Sequence, residues 1–233
     1  MESNQYKTII ELLKKYAAII DMDVKYAASA LPSCINYNEL REINEEGSLY
    51  KRTLCLRRVI SRHLNGRFDN YEINFWIIQK WGGIYNFLDN ESNREKIKQF
   101  SEDLKQGITH GLSNIASLSK VAAFVSPDDY FIYDSRAVYA IDRLLLDVDY
   151  RGPLFPIPDG RNKKIDIKSL RYKIKCAKKR FYKRNEAYAH YNNLLRKLAS
   201  SIYDDNKDYD RIEMLLFVLA NPENYNLLTG YND

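Results

Sequence analysis

Apolar residues recur every three or four positions along most of this chain, and that spacing restricts it to helices packed on helices. Between Gln5 and Ala30, residues Ile9, Ile10, Leu13, Tyr16, Ala17 and Ile20 share one helical face, and Pro32 stops the helix. Further helices are expected over 48–63, over "YEINFWIIQKW" up to Gly82–Gly83, over 92–106 up to Gly107, and over 113–125. Asp134 opens "DSRAVYAIDRLLL", where Ala137, Val138, Ile141, Leu144 and Leu145 form one stripe. Tyr188, Tyr191, Leu195, Leu198 and Ile202 form another, and "DYDRIEMLLFVLA" is the last helix before "NPEN". Only "YFIY" (130–133) reads as extended. The expected class is all-α: a two-lobed helical bundle, with the proline-rich "RGPLFPIPDG" (Arg151–Gly160) as linker and residues 161–233 as a C-terminal lobe.

Several function classes are set aside by what the chain lacks. No run of eighteen apolar residues occurs, so no membrane span is expected, and "MESNQYKTII" has no signal-peptide pattern. Cys34, Cys55 and Cys176 are widely spaced and odd in number, and His63, His110 and His190 are equally scattered. That distribution suits a reducing cytoplasm and offers neither a disulfide framework nor a metal-ligand cluster. No metal and no cofactor is expected.

Charge is the second constraint. The net charge is +5, but residues 161–184, "RNKKIDIKSLRYKIKCAKKRFYKR", hold twelve Lys and Arg against Asp166 alone. The band carries +11 and leaves −6 on the remainder. A concentrated cationic band on a mildly acidic chain favours a polyanionic partner, and DNA is the expected one. Lys163, Lys164, Arg171, Lys175, Lys178, Lys179, Arg180, Lys183 and Arg184 are the candidate nucleic-acid contacts, joined by Arg136. A solvated helix face or a flexible basic loop is the alternative reading of the same residues.

One lysine and one aspartate stand out. From Thr109 to Pro127, Lys120 is the only residue with a permanent charge, in an otherwise apolar helical stretch. Desolvation and a helix N-terminus both lower a lysine pKa, and a neutral amine is a nucleophile. Fourteen residues later, Asp134 opens the next helix, whose amides keep a carboxylate ionised. The pair suits chemistry that develops positive charge, such as cleavage of an N-glycosidic bond. The same residues also read as a lysine reaching for water and an ordinary helix cap. Arg136 reads as a surface residue or as an ion-pair partner of Asp142.

"SKVAAF…YFIYDSRAVYAI" resembles the end of the helix-hairpin-helix motif and the following loop of the 8-oxoguanine DNA glycosylase superfamily. "WGGI" (Trp81–Ile84) upstream and the "YDSR" core are closest to bacterial proteins described as having an 8-oxoguanine glycosylase fold, over residues 70–145. The resemblance implies a DNA N-glycosylase, with a lyase step in some members: Lys120 as nucleophile at the anomeric carbon and Asp134 as its electrostatic partner. It implies a pocket for a flipped base, for which Phe75, Trp76, Trp81, Tyr130 and Tyr133 are the candidate walls. Bacterial proteins of this group stand beside antiviral defence genes, including cyclic-oligonucleotide signalling systems and deazaguanine-type enzymes. Defence-system proteins are therefore implied partners. The sequence departs from the pattern in two places. "SNIASLSK" lacks the Gly-x-Gly of the hairpin, which makes the motif degenerate, and the Lys-to-Asp separation is short. A nucleic-acid-binding module without chemistry, and a structural partner in a defence complex, are the alternative functions.

Overall fold

The computed structural model describes residues 3–17, 31–109, 111–158, 165–203 and 210–229, and it is all-α. Eleven helices run in chain order among the described residues: α1 Ser3–Ala17, α2 Tyr37–Glu45, α3 Leu49–Leu64, α4 Tyr71–Phe75, α5 Glu91–Lys105, α6 Ile115–Val125, α7 Ser135–Asp147, α8 Ile167–Cys176, α9 Ala187–Ile202, α10 Arg211–Leu219 and α11 Pro222–Thr229. Among these residues no helix is long and apolar enough to cross a membrane. The rest of the helix expected up to Ala30 lies outside the described residues.

The starts follow side-chain caps. Asn36 and Glu39 form a reciprocal capping box on α2, Ser48 caps α3, Asn90 caps α5 and Asp134 caps α7. Past Phe75, α4 widens into a π-helical turn over Trp76–Trp81. Gly82 N donates to Ile77 O at 2.8 Å there, one residue further than an α-helix would reach.

One hydrophobic core extends from α1 to α11, and α1 packs on α9, α10 and α11. The described part of the expected linker, residues 151–158, is irregular backbone packed onto the core. Leu154 and Phe155 are buried, Leu154 exchanges backbone hydrogen bonds with Arg180 and Tyr182, and Phe155 stacks on Tyr182. "YFIY" is extended but pairs with no strand among the described residues. Its polar groups are satisfied by side chains: Phe131 N donates to Asn192 Oδ1 (3.1 Å), Ile132 N to Glu213 Oε2 (2.6 Å) and Tyr133 N to Ser119 Oγ (3.0 Å). Tyr188 and Tyr191 hydroxyls donate to the Phe131 and Ile132 carbonyls. A buried loop without such partners would be unstable, so α6, α9 and α10 jointly hold the segment that ends at Asp134.

The 151–158 segment also binds a buried acid. Asp142 Oδ1 accepts from Phe155 N at 2.9 Å, and burial pushes its carboxyl well above the usual range. A raised carboxyl stabilises the fold fully below its unfolded pKa, and that contribution disappears as pH rises through the folded value. Asp142→Asn keeps the acceptor and removes the titration. Urea denaturation should show it about 1 kcal/mol more stable than the parent at pH 8, the scale of one buried polar group. The gap should narrow as pH falls and close only near the unfolded carboxyl value of about 3.9; a variant less stable than the parent at pH 8 refutes the account.

Candidate active site in a cationic cleft

The N-termini of α6 and α7 meet at an open cleft of about 2150 Å³. Lys120 and Asp134 both line it, so the structure brings together the two residues singled out by their types. Lys120 lies in the second turn of α6, flanked by Val121, Ala122 and Ile115 in the core, and is only 7% exposed. Its Nζ donates to Ala116 O at 2.7 Å. Burial lowers its pKa below the ordinary lysine value, while the negative charges of Asp134 and Glu213 oppose that shift. Asp134 Oδ1 accepts from Arg136 N and Ala137 N, both at 2.9 Å, which fixes the carboxylate at the α7 N-terminus. No ion pair joins Lys120 and Asp134 among the described residues.

Gly82 explains the "WGG" element. Its φ of −82° and ψ of −11° would suit any residue. A Cβ there, however, would sit 2.7 Å from Lys120 Cδ and 2.8 Å from Ile78 O. The glycine clears space for the lysine stem beside the π-turn. Gly83, at φ +67°, supplies the left-handed turn that ends it. Gly82→Ala should cost about 1–3 kcal/mol in thermal or chemical unfolding, as overpacking does. In a Lys120→Ala background the cost should shrink by at least about 0.5 kcal/mol, the lower limit for coupled neighbours. Additive costs would mean that the glycine serves only the backbone.

The expected hairpin differs in the structure. α5 and α6 pack together, but the chain is already helical from Ile115, so the residues nearest the missing glycines form the first turn of α6. That turn lines the cleft through Ile115, Ala116 and Ser117, and Asn114 makes no side-chain cap. The positive end of α6 therefore faces the cleft.

The cationic band divides. Arg171 and Arg184 line the cleft, as does Lys168, which belongs to the band but was not among the expected contacts. Lys175, Lys178, Arg180 and Lys183 are exposed away from it, and Lys183 pairs with Glu186 at 3.5 Å. Lys179 is structural, bonding Tyr150 O and lying 3.5 Å from Asp149. Lys163 and Lys164 lie outside the described residues. Arg136 reaches the cleft but does not pair with Asp142: its guanidinium lies 3.6 Å over the Phe217 ring and donates to Phe217 O at 2.9 Å.

None of the five expected base-pocket aromatics lines the cleft. Phe75, Trp76 and Tyr133 are buried, Trp81 packs edge-on against Phe124 with centroids 4.9 Å apart, and Tyr130 stacks on Tyr188. Large aromatics gain most from leaving water, so the core claims them. Phe87 is the aromatic at the cleft wall. Lys96, Asn86 and Asn90 were also missed; they sit around the α5 N-cap, where polarity alone reads as solvated surface.

Among the described residues no cluster of His, Cys, Asp and Glu could hold a metal ion. Compared with protein-family models, with characterised proteins and with solved structures, the chain matches none.

Proposed function

We propose that the protein is a lysine-dependent N-glycosylase that acts on a modified or damaged base in DNA. The observation that carries this reading is Lys120: a desolvated lysine whose pKa is held down, at the base of a cleft with Asp134 and five further cations. Neutral Nζ adds to C1′ of the nucleotide. The C1′–N bond breaks, its electron pair leaves with the base, and the base takes up a proton. Asp134 offsets the positive charge on the sugar and accepts a proton from the new ammonium. Ring opening then gives an imine between Nζ and C1′. Borohydride reduces that imine to a stable amine. Oligonucleotides carrying oxidised or deazaguanine bases should therefore trap covalently on the parent protein and not on Lys120→Met.

A binding module without chemistry is the second reading. The aromatic positions favour it, because the cleft offers no ring pair to hold a base. Oligonucleotides that bind yet never trap would establish it and end the glycosylase proposal.

A further inference from the structure

The cleft is asymmetric. α5 packs on α6 and α8 packs on α7, so α5 and α8 stand on either side of the floor that carries Lys120 and Asp134. The α8 side presents Lys168, Arg171 and Arg184, none of which forms an ion pair with a described residue. Other exposed cations are paired, as Arg41 with Glu45 and Arg62 with Glu42, or stand apart on the surface, as Lys175 and Lys178 do; here three converge on one wall. The α5 side presents amides instead, Asn86 and Asn90, beside Ile84 and Phe87. Its cation, Lys96, is turned onto Asn93 Oδ1 at 2.8 Å. Tyr85 lies between Ile84 and Asn86 in the chain without itself lining the cleft; it is 66% exposed and makes no ring contact with a described residue.

We propose that this cleft holds an unpaired nucleic-acid strand, its phosphates against the α8 side and its bases against the α5 side. The inference rests on nucleic acid being the ligand of the cleft, and it adds strandedness and polarity. A duplex presents phosphates on both of its edges and stacks its bases inside. It would match cations on both walls, whereas here one wall carries three cations and the other carries Lys96 alone among amides and apolar side chains. A single strand has one anionic edge and one edge of stacking faces and hydrogen-bonding groups, which the amides of this wall can meet, with the exposed Tyr85 adjacent in the chain. The volume of about 2150 Å³ is roughly twice the upper end of the ~300–1,000 Å³ typical of single small ligands, which points to a polymer and not a free nucleotide.

Fluorescence anisotropy tests this with one 15-residue sequence as single-stranded DNA, as single-stranded RNA and as blunt duplex, at several salt concentrations. One of the single-stranded forms should bind at least about tenfold more tightly than duplex. Replacing Lys168, Arg171 and Arg184 together by Gln should weaken binding and flatten the log–log salt slope by about 2, since each phosphate contact on a single strand contributes about 0.7. Tyr85→Ala with Asn86→Ala should weaken single-strand binding and leave the slope unchanged. Duplex binding equal to or tighter than both single strands overturns the inference, as does an unchanged slope in the triple variant. Single-strand preference without any borohydride adduct leaves this inference standing and removes the glycosylase reading. Adducts formed without that preference do the reverse.

Discussion

Arg57→Met should lose about 3–5 kcal/mol of stability in urea denaturation at pH 7, the usual cost of removing one partner from a buried ion pair. Arg57 is fully buried in α3, its Nη1 bonds Glu213 Oε1 and lies 3.6 Å from Asp210 Oδ2, and its Nη2 donates to Ala123 O at 3.2 Å. Without it, buried Glu213 loses its bonded cation and buried Asp210 keeps only the charge of Arg58. A domain's whole stability is about 5–15 kcal/mol, so this single change brings the chain close to unfolding. Burial already pushes the Glu213 carboxyl up to about 7, against the opposing pull of Arg57. A carboxyl with a raised folded pKa stabilises the fold below its unfolded pKa and ceases to do so as pH rises through the folded value. The variant should therefore regain part of its loss between pH 7 and pH 5. Arg57→Met with Glu213→Gln should regain part of it at pH 7, because the glutamine still accepts from Ile132 N. A loss below about 1 kcal/mol, or one that does not respond to pH, would show that the pair is dispensable. Glu213 also anchors Ile132, two residues before Asp134. The same change should therefore disturb the cleft before it unfolds the chain.

The sequence carried a visible trace of this network. Tyr50, Leu54, Arg57, Ile60 and Leu64 fall on one helical stripe, and Arg57 is the position where an apolar residue is expected. Glu213 interrupts α10 in the same way. A charge on an apolar stripe marks either a solvent-facing shift of the helix or a buried partner, and only the packing of α3 against α6 and of α10 against α7 decides. Lys120 shared that signature and was legible, because no other charge occurs for many residues on either side. Several helix spans and the Asp134 cap were also legible, since periodicity and capping are local, but "NPEN" does not end the last helix: α11 starts at Pro222, and α2 and α8 were not anticipated.

What remained hidden depends on distant contacts. Whether an aromatic walls a cavity or fills a core is set by the elements that pack over it, so Trp76 and Tyr133 carried no local sign of their burial. Proline density in 151–158 signalled irregular backbone correctly, but not its packing onto the core. Leu154 and Phe155 found partners in the 180–182 segment and in α9. The basic band was visible as charge, but only folding separates Arg171 and Arg184, in the cleft, from Lys179, bound to Tyr150 O. The glycine at position 82 had an evident helix-ending role beside Gly83. Its clearance for a side chain 38 residues later required coordinates.

Lys120→Met should abolish covalent trapping while leaving the fold at least as stable as the parent. The buried ammonium has one hydrogen bond, to Ala116 O, and its lowered pKa shows that burial outweighs the attraction of Asp134 and Glu213. An unbranched apolar side chain of similar length removes that desolvation cost, so a gain of about 1 kcal/mol is expected at neutral pH. A residue retained against stability is the pattern of a functional site. If Lys120→Met instead loses more than about 1 kcal/mol, the lysine is structural and the glycosylase reading fails. The pH dependence gives an independent sign. Trapping requires neutral Nζ, so its rate should rise with pH through a midpoint below the usual lysine value of about 10.4. Asp134 raises the Lys120 pKa. Asp134→Asn should therefore move the midpoint to lower pH, although its plateau rate falls by about 100-fold or more from the lost stabilisation of the sugar cation. Glu213→Gln should move the midpoint in the same direction, and because Glu213 does not line the cleft the plateau should change far less. A midpoint that rises in Asp134→Asn, or a plateau that is unchanged, would separate the aspartate from the chemistry and leave it as the cap of α7.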